Sequence, residues 1–435
     1  MQPRITLFFC PSYPTRVTAL GHAPPLSLAY LAQYLQEAGY QPLAINGNEY
    51  VELPEERDAA YEQHTVQRMI SLVEQTQPDI LIISAWTYAM PFAVEFTTAY
   101  KVRNPHSLLL FGGINATHLP EDTLRLLPAV DLLVRGEGQH ALLEVIQAWE
   151  RSPHCPDFFA IRGVSYRSGR IVHTPTQSVR ADLNTLPLLD FSAFTAFDNR
   201  QRENFYLLTS LGCPYTCSFC SNPGIWPGFR KYSAQYVVNQ IRLLEQKFGD
   251  IQVSFWDSDF TVDSSRAHAL CSAFASNGLS TRWFCYARLD EVGRELAMAM
   301  KMGGCRHMFF GLESTNPKVL EWYDKAKDIP AYLQCVPKAL TACTDARISA
   351  ILSIILGAPV ETATEMRQTA AQALAFKQGH ASVDQLEVGM LTLEIGSALW
   401  HRYRSGALAV RPLRNDALCE SYSGYQYFTK KYVGG

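Results

Sequence analysis

Three cysteines crowd into one short stretch, Gly212-Cys213-Pro214-Tyr215-Thr216-Cys217-Ser218-Phe219-Cys220, with three residues between the first pair and two between the second. Three thiolates on one tight loop can hold three irons of a [4Fe–4S] cube. With no fourth cysteine nearby, one iron keeps an open coordination position able to take a chelating ligand. Zinc is the alternative for the same residue types. It calls for a fourth ligand, yet no His lies between His173 and His268 and no second cysteine pair follows closely. The bare spacing leaves the two metals even, and the loop's place directly after an apolar strand favours the cluster. The other eight cysteines, Cys10, Cys155, Cys271, Cys285, Cys305, Cys335, Cys343 and Cys419, sit mostly in apolar surroundings and read as small core residues, with Cys285 and Cys305 nearest to strand ends.

Such a loop needs a scaffold that presents it. From Phe205 onward six apolar runs alternate with helical patterns: Phe205 to Thr209, Gln252 to Trp256, Thr281 to Tyr286, His307 to Leu312, Ser349 to Leu356 and Leu386 to Leu393. Six repeats argue for a barrel or a large part of one, with active residues at the carboxyl ends of the strands. Charged residues stand at those ends. Asp257 and Asp259 are two apart and face one side of a strand, which fits a ligand contact or a solvated strand end. Glu313 reads either as a ligand contact or as a helix N-terminal carboxylate, and Arg288 as a contact or a structural ion pair.

The first 150 residues have the same alternation on a smaller scale, with strands at Ile5 to Cys10, Pro42 to Ile45, Ile80 to Ala85, Leu108 to Gly113 and Leu132 to Arg135. Helices begin near Pro25, Glu62, Pro91 and Leu119, and a fifth runs from Gln139 to Glu150. In the first, Leu28, Leu31, Leu35 and Ala38 recur at helical spacing and Gly39 supplies the stop. Five strands with this rhythm suggest a doubly wound, flavodoxin-like sheet. Its carboxyl-end loops carry Ser84 and Thr87, Gly112-Gly113, and Gly136-Glu137-Gly138, small residues that let a large cofactor approach the backbone or that simply make tight turns. A nucleotide fingerprint is missing, because Pro11-Ser12-Tyr13-Pro14 follows the first strand. The expected domains are thus 1–150, a linker with a small hairpin over 151–200, a barrel over 201–403 and a C-terminal segment over 404–435. The aromatics of that segment, Tyr422, Tyr425, Tyr427, Phe428 and Tyr432, pack on the barrel or line a pocket.

Composition narrows the partners. The 435 residues carry 38 Lys plus Arg against 41 Asp plus Glu, a net charge of −3 with the signs mixed along the chain, so no nucleic-acid footprint is visible. Hydrophobic residues make up 47%, enough for sizeable cores, and charged ones only 18%. The most apolar stretches, Ile80 to Val94 and Ile348 to Val360, fall short of the roughly 18 apolar residues a spanning helix needs. Clustered cysteines at metal spacing fit a reducing compartment, and a cytoplasmic protein is expected.

The cysteine motif and its surroundings resemble the radical SAM superfamily, whose cluster loop has this spacing and follows the first strand of a partial (β/α)6 barrel. The resemblance implies that Phe219 meets the adenine of S-adenosylmethionine (SAM). It also implies that the Ser254 to Phe260 segment, with Trp256, Asp257 and Asp259, helps hold the SAM amino group, and that Arg288 is a polar SAM contact. Glu313 and Ser314 then lie on the ribose side, and Leu356, within Ile355 to Thr362, lies by the adenine. The family often has Gly where this chain has Val360.

The first domain is similar to the cobalamin-binding domain found ahead of many radical SAM domains, which implies that Ser84, Thr87, Gly112, Gly113, Gly136, Glu137 and Gly138 contact cobalamin. None of its five histidines stands in an Asp-x-His-x-x-Gly loop, so a cobalt without a His ligand is expected. Together the two resemblances imply a cobalamin-dependent radical SAM methyltransferase of the class B type. It would move methyl from SAM by way of methylcobalamin to an unactivated carbon of a small molecule or natural-product intermediate, with an external one-electron donor such as flavodoxin or ferredoxin. A non-methylating cyclase or ring-rearranging enzyme on the same scaffold is the second expectation. An RNA methylthio-transferring enzyme fits less well, since the first domain has only Cys10 and no basic tail follows. A non-enzymatic corrinoid carrier fits least.

Overall fold

The computed structural model describes residues 2–11, 24–51, 59–153, 156–176, 182–194, 204–226 and 228–408. Ser12 to Pro14, Cys155, Cys419 and the five C-terminal aromatics lie outside the described residues. Two compact units form, one within residues 1–201 and the other within 202–415.

In the first unit, β1 (Ile5–Phe9), β2 (Leu43–Asn46), β3 (Ile80–Ser84), β4 (Leu108–Gly112) and β5 (Leu132–Val134) pair in parallel in the order β2-β1-β3-β4-β5. This is the flavodoxin-like order expected, with its switch point between β1 and β3. All of β1 and all but the last residue of β3 are buried, because helices cover both faces, so the strands read as continuous apolar runs. The register sets Phe9, Ser84, Gly112 and Val134 in one row, so the carboxyl-end loops start level with each other. The helix expected near Leu119 begins at Pro120 and runs Pro120–Leu126, and a further short helix, Ile114–His118, precedes it. Pro120 pushes the preceding Leu119 out of helical geometry, to φ −130° and ψ 52°. An antiparallel hairpin, β6 (Val164–Ser168) and β7 (Arg170–His173), extends the sheet beyond β5.

The second unit holds β8 (Asn204–Leu207), β11 (Gln252–Phe255), β12 (Arg282–Ala287), β13 (Cys305–Glu313), β14 (Ser349–Leu356) and β15 (Val383–Met390), all parallel and in chain order, as in a partial (β/α)6 barrel. Its helices start on caps legible in the sequence. Ser233, Asp263 and Asp328 accept from the backbone of the first turn, and Thr362 with Glu365 makes a reciprocal capping box. Along β12 and β14, fully buried residues alternate with half-buried ones. The buried set faces the helices and the half-buried set faces the barrel interior. Of the cysteines read as core, Cys10, Cys271, Cys285, Cys305 and Cys343 are buried and Cys335 is half-buried.

A two-stranded antiparallel ladder, β9 (Ser210–Gly212) with β10 (Phe229–Lys231), brackets the cysteine loop and was not anticipated from so short a pattern. Gly212 is where it closes. Its φ is +83°, and a Cβ there would overlap the Gly228 carbonyl oxygen. Gly212→Ala is expected to cost about 1–3 kcal/mol of stability. Urea unfolding of the full chain measures that loss, and iron content after anaerobic loading should fall with it.

Candidate functional site

The cysteine loop leaves β9 and is pinned at several points. Ser218 donates its backbone N–H to Tyr323 O at 2.8 Å and its hydroxyl to Trp322 O at 3.0 Å, while its own carbonyl accepts from Leu399 N at 2.9 Å. Thr216 Oγ1 donates to Asp324 Oδ2 at 2.6 Å, and Cys220 N to Cys217 O at 3.0 Å. Phe219 stands edge-on to Tyr323, with ring centroids 5.1 Å apart. Cys213, Cys217 and Cys220 are free and half-buried. Burial pushes all three thiols upward, Cys213 to about 12, while the cations Lys325 and Arg288 pull Cys217 back. Among the described residues no three His, Cys, Asp or Glu side chains gather as ligands of a single ion. A cube spreads its three thiolates over three irons, so this donor set fits a cluster and lacks the ligand set of a tetrahedral zinc.

The two aspartates after β11 do different jobs, and neither is a solvated strand end: Asp257 is 1% exposed and Asp259 3%. Asp257 is saturated. It accepts from Thr209 N at 3.1 Å and Thr209 Oγ1 at 2.8 Å, and from Ser210 Oγ, and lies 3.5 Å from the buried Arg266 guanidinium. Burial raises its pKa, and Arg266 with these donors works against the rise. Asp257 therefore ties the end of β11 to the segment that launches the cysteine loop. Asp259 Oδ1 accepts from Thr261 N at 3.0 Å and Thr261 Oγ1 at 2.9 Å, but its buried Oδ2 has no partner. Burial and then the Glu291 charge hold its pKa well above the usual carboxylate range, and Asp259 is near enough to Cys213 to push that thiol up too. A buried acceptor without a donor, beside the cluster loop, fits the ammonium of an incoming amino acid group.

At the ends of the next strands, Arg288 donates to both oxygens of Asp290, at 3.0 and 2.9 Å, and to Lys325 O at 2.8 Å. Its guanidinium carbon stacks 3.9 Å from the ring centre of Tyr215, a residue of the cysteine loop. Burial opposes its charge, but the Asp290 carboxylate outweighs burial and Arg288 titrates above an ordinary arginine. Tyr215 in turn donates its hydroxyl to Glu291. Glu313 closes β13 in the left-handed region at φ +62°, so it is not a helix N-terminal carboxylate; that cap is Asn316. It pairs with Lys325 at 2.9 Å, both side chains being under a tenth exposed. A Cβ on Gly311 would overlap the Glu313 carboxylate and force it to shift. Ser314 is buried, its Oγ accepting from Asn316 N and lying 3.1 Å from Thr369 Oγ1. Leu356 ends β14 half-buried. In the turn that follows, Gly357 has φ +89° and donates its N–H to Glu361 Oε2 at 2.8 Å, whereas Val360 keeps a negative φ and adds no strain. Trp256 points into the barrel interior, with ring centroids 4.6 Å from Tyr206 and 6.0 Å from Tyr286.

In the first unit, the expected cofactor loops stand together at the carboxyl edge of the sheet. Thr87 Oγ1 donates to Asn115 Oδ1 at 3.0 Å. Gly113 takes φ +116° over Ser84, and Gly136, at φ +72°, donates its N–H to Thr117 Oγ1 at 3.0 Å. Gly138 opens the helix Gln139–Arg151, with Glu137 just ahead of it. At the same edge Trp86 and Tyr88 stack with half of each ring exposed, an apolar shelf suited to a large flat cofactor.

Sequence reasoning passed over Lys325, Tyr215, Glu291 and Arg266. Lys325 lies in Asp324-Lys325-Ala326-Lys327-Asp328, which reads as a solvated charge run. Only the fold buries it.

A barrel of this kind with a three-thiol loop after its first strand, preceded by a doubly wound domain, defines an enzyme that pairs an iron–sulfur cluster with a second large cofactor. The family model described as the B12 binding domain matches residues 14–146, and the model described as the radical SAM superfamily matches residues 207–373. The chain belongs to the cobalamin-dependent radical SAM enzymes, and its cofactors are cobalamin, SAM and a [4Fe–4S] cluster. It is 27% identical over 382 residues to an uncharacterized methyltransferase of Pyrococcus horikoshii, covering 87% of this chain and 78% of that one. It is 26% identical over 378 residues to the anaerobic magnesium-protoporphyrin IX monomethyl ester cyclase of Rubrivivax gelatinosus, covering 83% of this chain but only 64% of the cyclase. Among solved structures, the radical SAM methyltransferase TsrM of Kitasatospora setae, with cobalamin and [4Fe-4S] cluster bound, superposes with a TM-score of 0.73 at 17% identity, covering 100% of this chain and 86% of TsrM.

Removing one partner of the Glu313–Lys325 pair strands a buried charge, so Glu313→Gln is expected to cost about 3–5 kcal/mol. The double change Glu313→Gln with Lys325→Met should restore most of that loss while leaving the site without its cation. Equilibrium urea unfolding of the three proteins reads the difference.

Proposed function

We propose that this protein moves a methyl group from SAM, by way of cobalamin, to an unactivated carbon of a small-molecule or natural-product substrate. The observation that carries the reading is the union in one chain of a B12 binding domain with a barrel whose three-thiol loop lies beside an unpartnered buried carboxylate oxygen, Asp259 Oδ2. When bound, the cofactors supply reductive cleavage of SAM and transfer of methyl through cobalt. The chain's own residues bind, orient and exclude water. Cys213, Cys217 and Cys220 hold the cluster and leave one iron open. Asp259 accepts from the SAM ammonium. Asp257 braces the strand that carries it, Arg288 fixes Tyr215 and so the cysteine loop, and Phe219, Glu313, Ser314 and Leu356 flank the nucleoside. Trp256 stands between that site and the barrel interior. Ser84, Thr87, Gly112, Gly113, Gly136, Glu137 and Gly138 form the cobalamin edge. An external one-electron donor such as flavodoxin or ferredoxin serves the cluster. No helix among the described residues is long and apolar enough to cross a membrane, and a reducing, cytoplasmic setting suits this oxygen-sensitive chemistry.

The cyclase of Rubrivivax gelatinosus supports a second reading, a ring-forming enzyme without net methylation. The two part on their products. Full-length protein loaded anaerobically with iron, sulfide and hydroxocobalamin, reduced with titanium(III) citrate and given SAM alone, is expected to release both S-adenosylhomocysteine and 5′-deoxyadenosine. Cys217→Ala should stop deoxyadenosine release and leave S-adenosylhomocysteine formation in place. Deoxyadenosine alone from the wild type would favour the cyclase reading, and deoxyadenosine from the Cys217→Ala protein would sink both.

A further inference from the structure

The barrel interior says what kind of substrate fits. Interior positions follow from parity and register. Tyr206 pairs with Ser254 and Ser254 with Phe284, while Tyr286 pairs with Phe309 and Phe309 with Ile351, placing all of them on one concave face. Gly311, Ser353 and Glu387 make the next layer toward the carboxyl ends. On this face the rings run continuously. Tyr206 meets Trp256 at 4.6 Å, Trp256 meets Tyr286 at 6.0 Å, and Tyr286 meets Phe309 at 5.1 Å and Phe284 at 5.2 Å between centroids. Trp256 remains 37% exposed although it sits among other rings, so its surface is available to a ligand.

Across from this wall stands one charge. Glu387 on β15 is half-buried, and among the described residues no Lys or Arg forms an ion pair with it. Its carboxylate lies near enough to Tyr286 to add to the rise of that phenol, which burial begins. Basic side chains of the same interior parity are engaged elsewhere. Arg282 and His307 stand at the amino ends of their strands against Asp250 and Asp384, at 3.4 and 4.0 Å, and Arg288 is held by Asp290. Among the described residues the chamber therefore offers ring faces and negative charge, and no free cation for a phosphate or carboxylate.

The geometry points to a substrate with a flat unsaturated ring system and an amine, the ring lying on the Tyr206, Trp256, Tyr286 and Phe309 wall and the ammonium facing Glu387. Aromatic walls favour both parts, through ring stacking and through the attraction of a cation to ring faces. This substrate class deepens the methyl-transfer reading and rests on it for placing the reacting carbon in this barrel. The binding itself is tested without turnover, so its failure leaves the SAM products unaffected and the two ideas fall separately.

Isothermal titration calorimetry of the cluster-loaded full chain, without reductant, compares three probes: naphthylmethylamine, naphthylacetate and butylamine. Naphthylmethylamine should bind at least about tenfold more tightly than either of the others. Glu387→Gln should erase the preference for amine over carboxylate, and Tyr286→Leu should weaken naphthylmethylamine without changing that preference. Circular dichroism and cluster absorbance check that both variants are folded and loaded. The assignment is overturned if naphthylmethylamine gives no heat, if butylamine or naphthylacetate binds as well, or if Glu387→Gln leaves the preference intact.

Discussion

Three thiols can serve one cluster only if the loop that carries them keeps a single path, and the second unit is built around that constraint. Three thiols sit on a loop whose path is set by a glycine that tolerates no side chain, by the Ser218 amide and hydroxyl tied to Tyr323 and Trp322, and by an arginine stacked on Tyr215. A loop that could relax would bring a backbone or side-chain donor to the fourth position. This one is held at Gly212, Tyr215, Thr216 and Ser218 by contacts to other segments.

Burial brings an electrostatic problem, because acids and bases gathered at strand ends lose their hydration. The fold answers it by pairing. Asp257 meets Arg266, Arg288 meets Asp290, and Glu313 meets Lys325. Asp259 Oδ2 stays without a hydrogen-bond partner beside these pairs, as a site for a cationic ligand requires. The same contrast recurs deeper in the barrel, where Glu387 faces a wall of rings rather than a cation.

The two units solve a related geometric problem with the same device. Level parallel strands deliver several loops to one edge, so that residues far apart in sequence stand together. In the first unit the row of Phe9, Ser84, Gly112 and Val134 sets that edge, and in the second the ends of β11 through β14 do.

Much of this was legible from local pattern. Cysteine spacing on a loop is a local property, so Cys213, Cys217 and Cys220 stood out at once. The strand rhythm gave both folds, because buried parallel strands are continuous apolar runs. Tertiary structure alone separated Asp257 from Asp259, since their identical residue type and spacing conceal that one is saturated by Thr209, Ser210 and Arg266 while the other is not. It alone buried Lys325, drew Tyr215 and Glu291 into one hydrogen bond, and added the short helix Ile114–His118. Partners 12 to 76 residues apart leave no periodic trace in a chain. Which charges cancel is decided only when the chain closes on itself and water leaves.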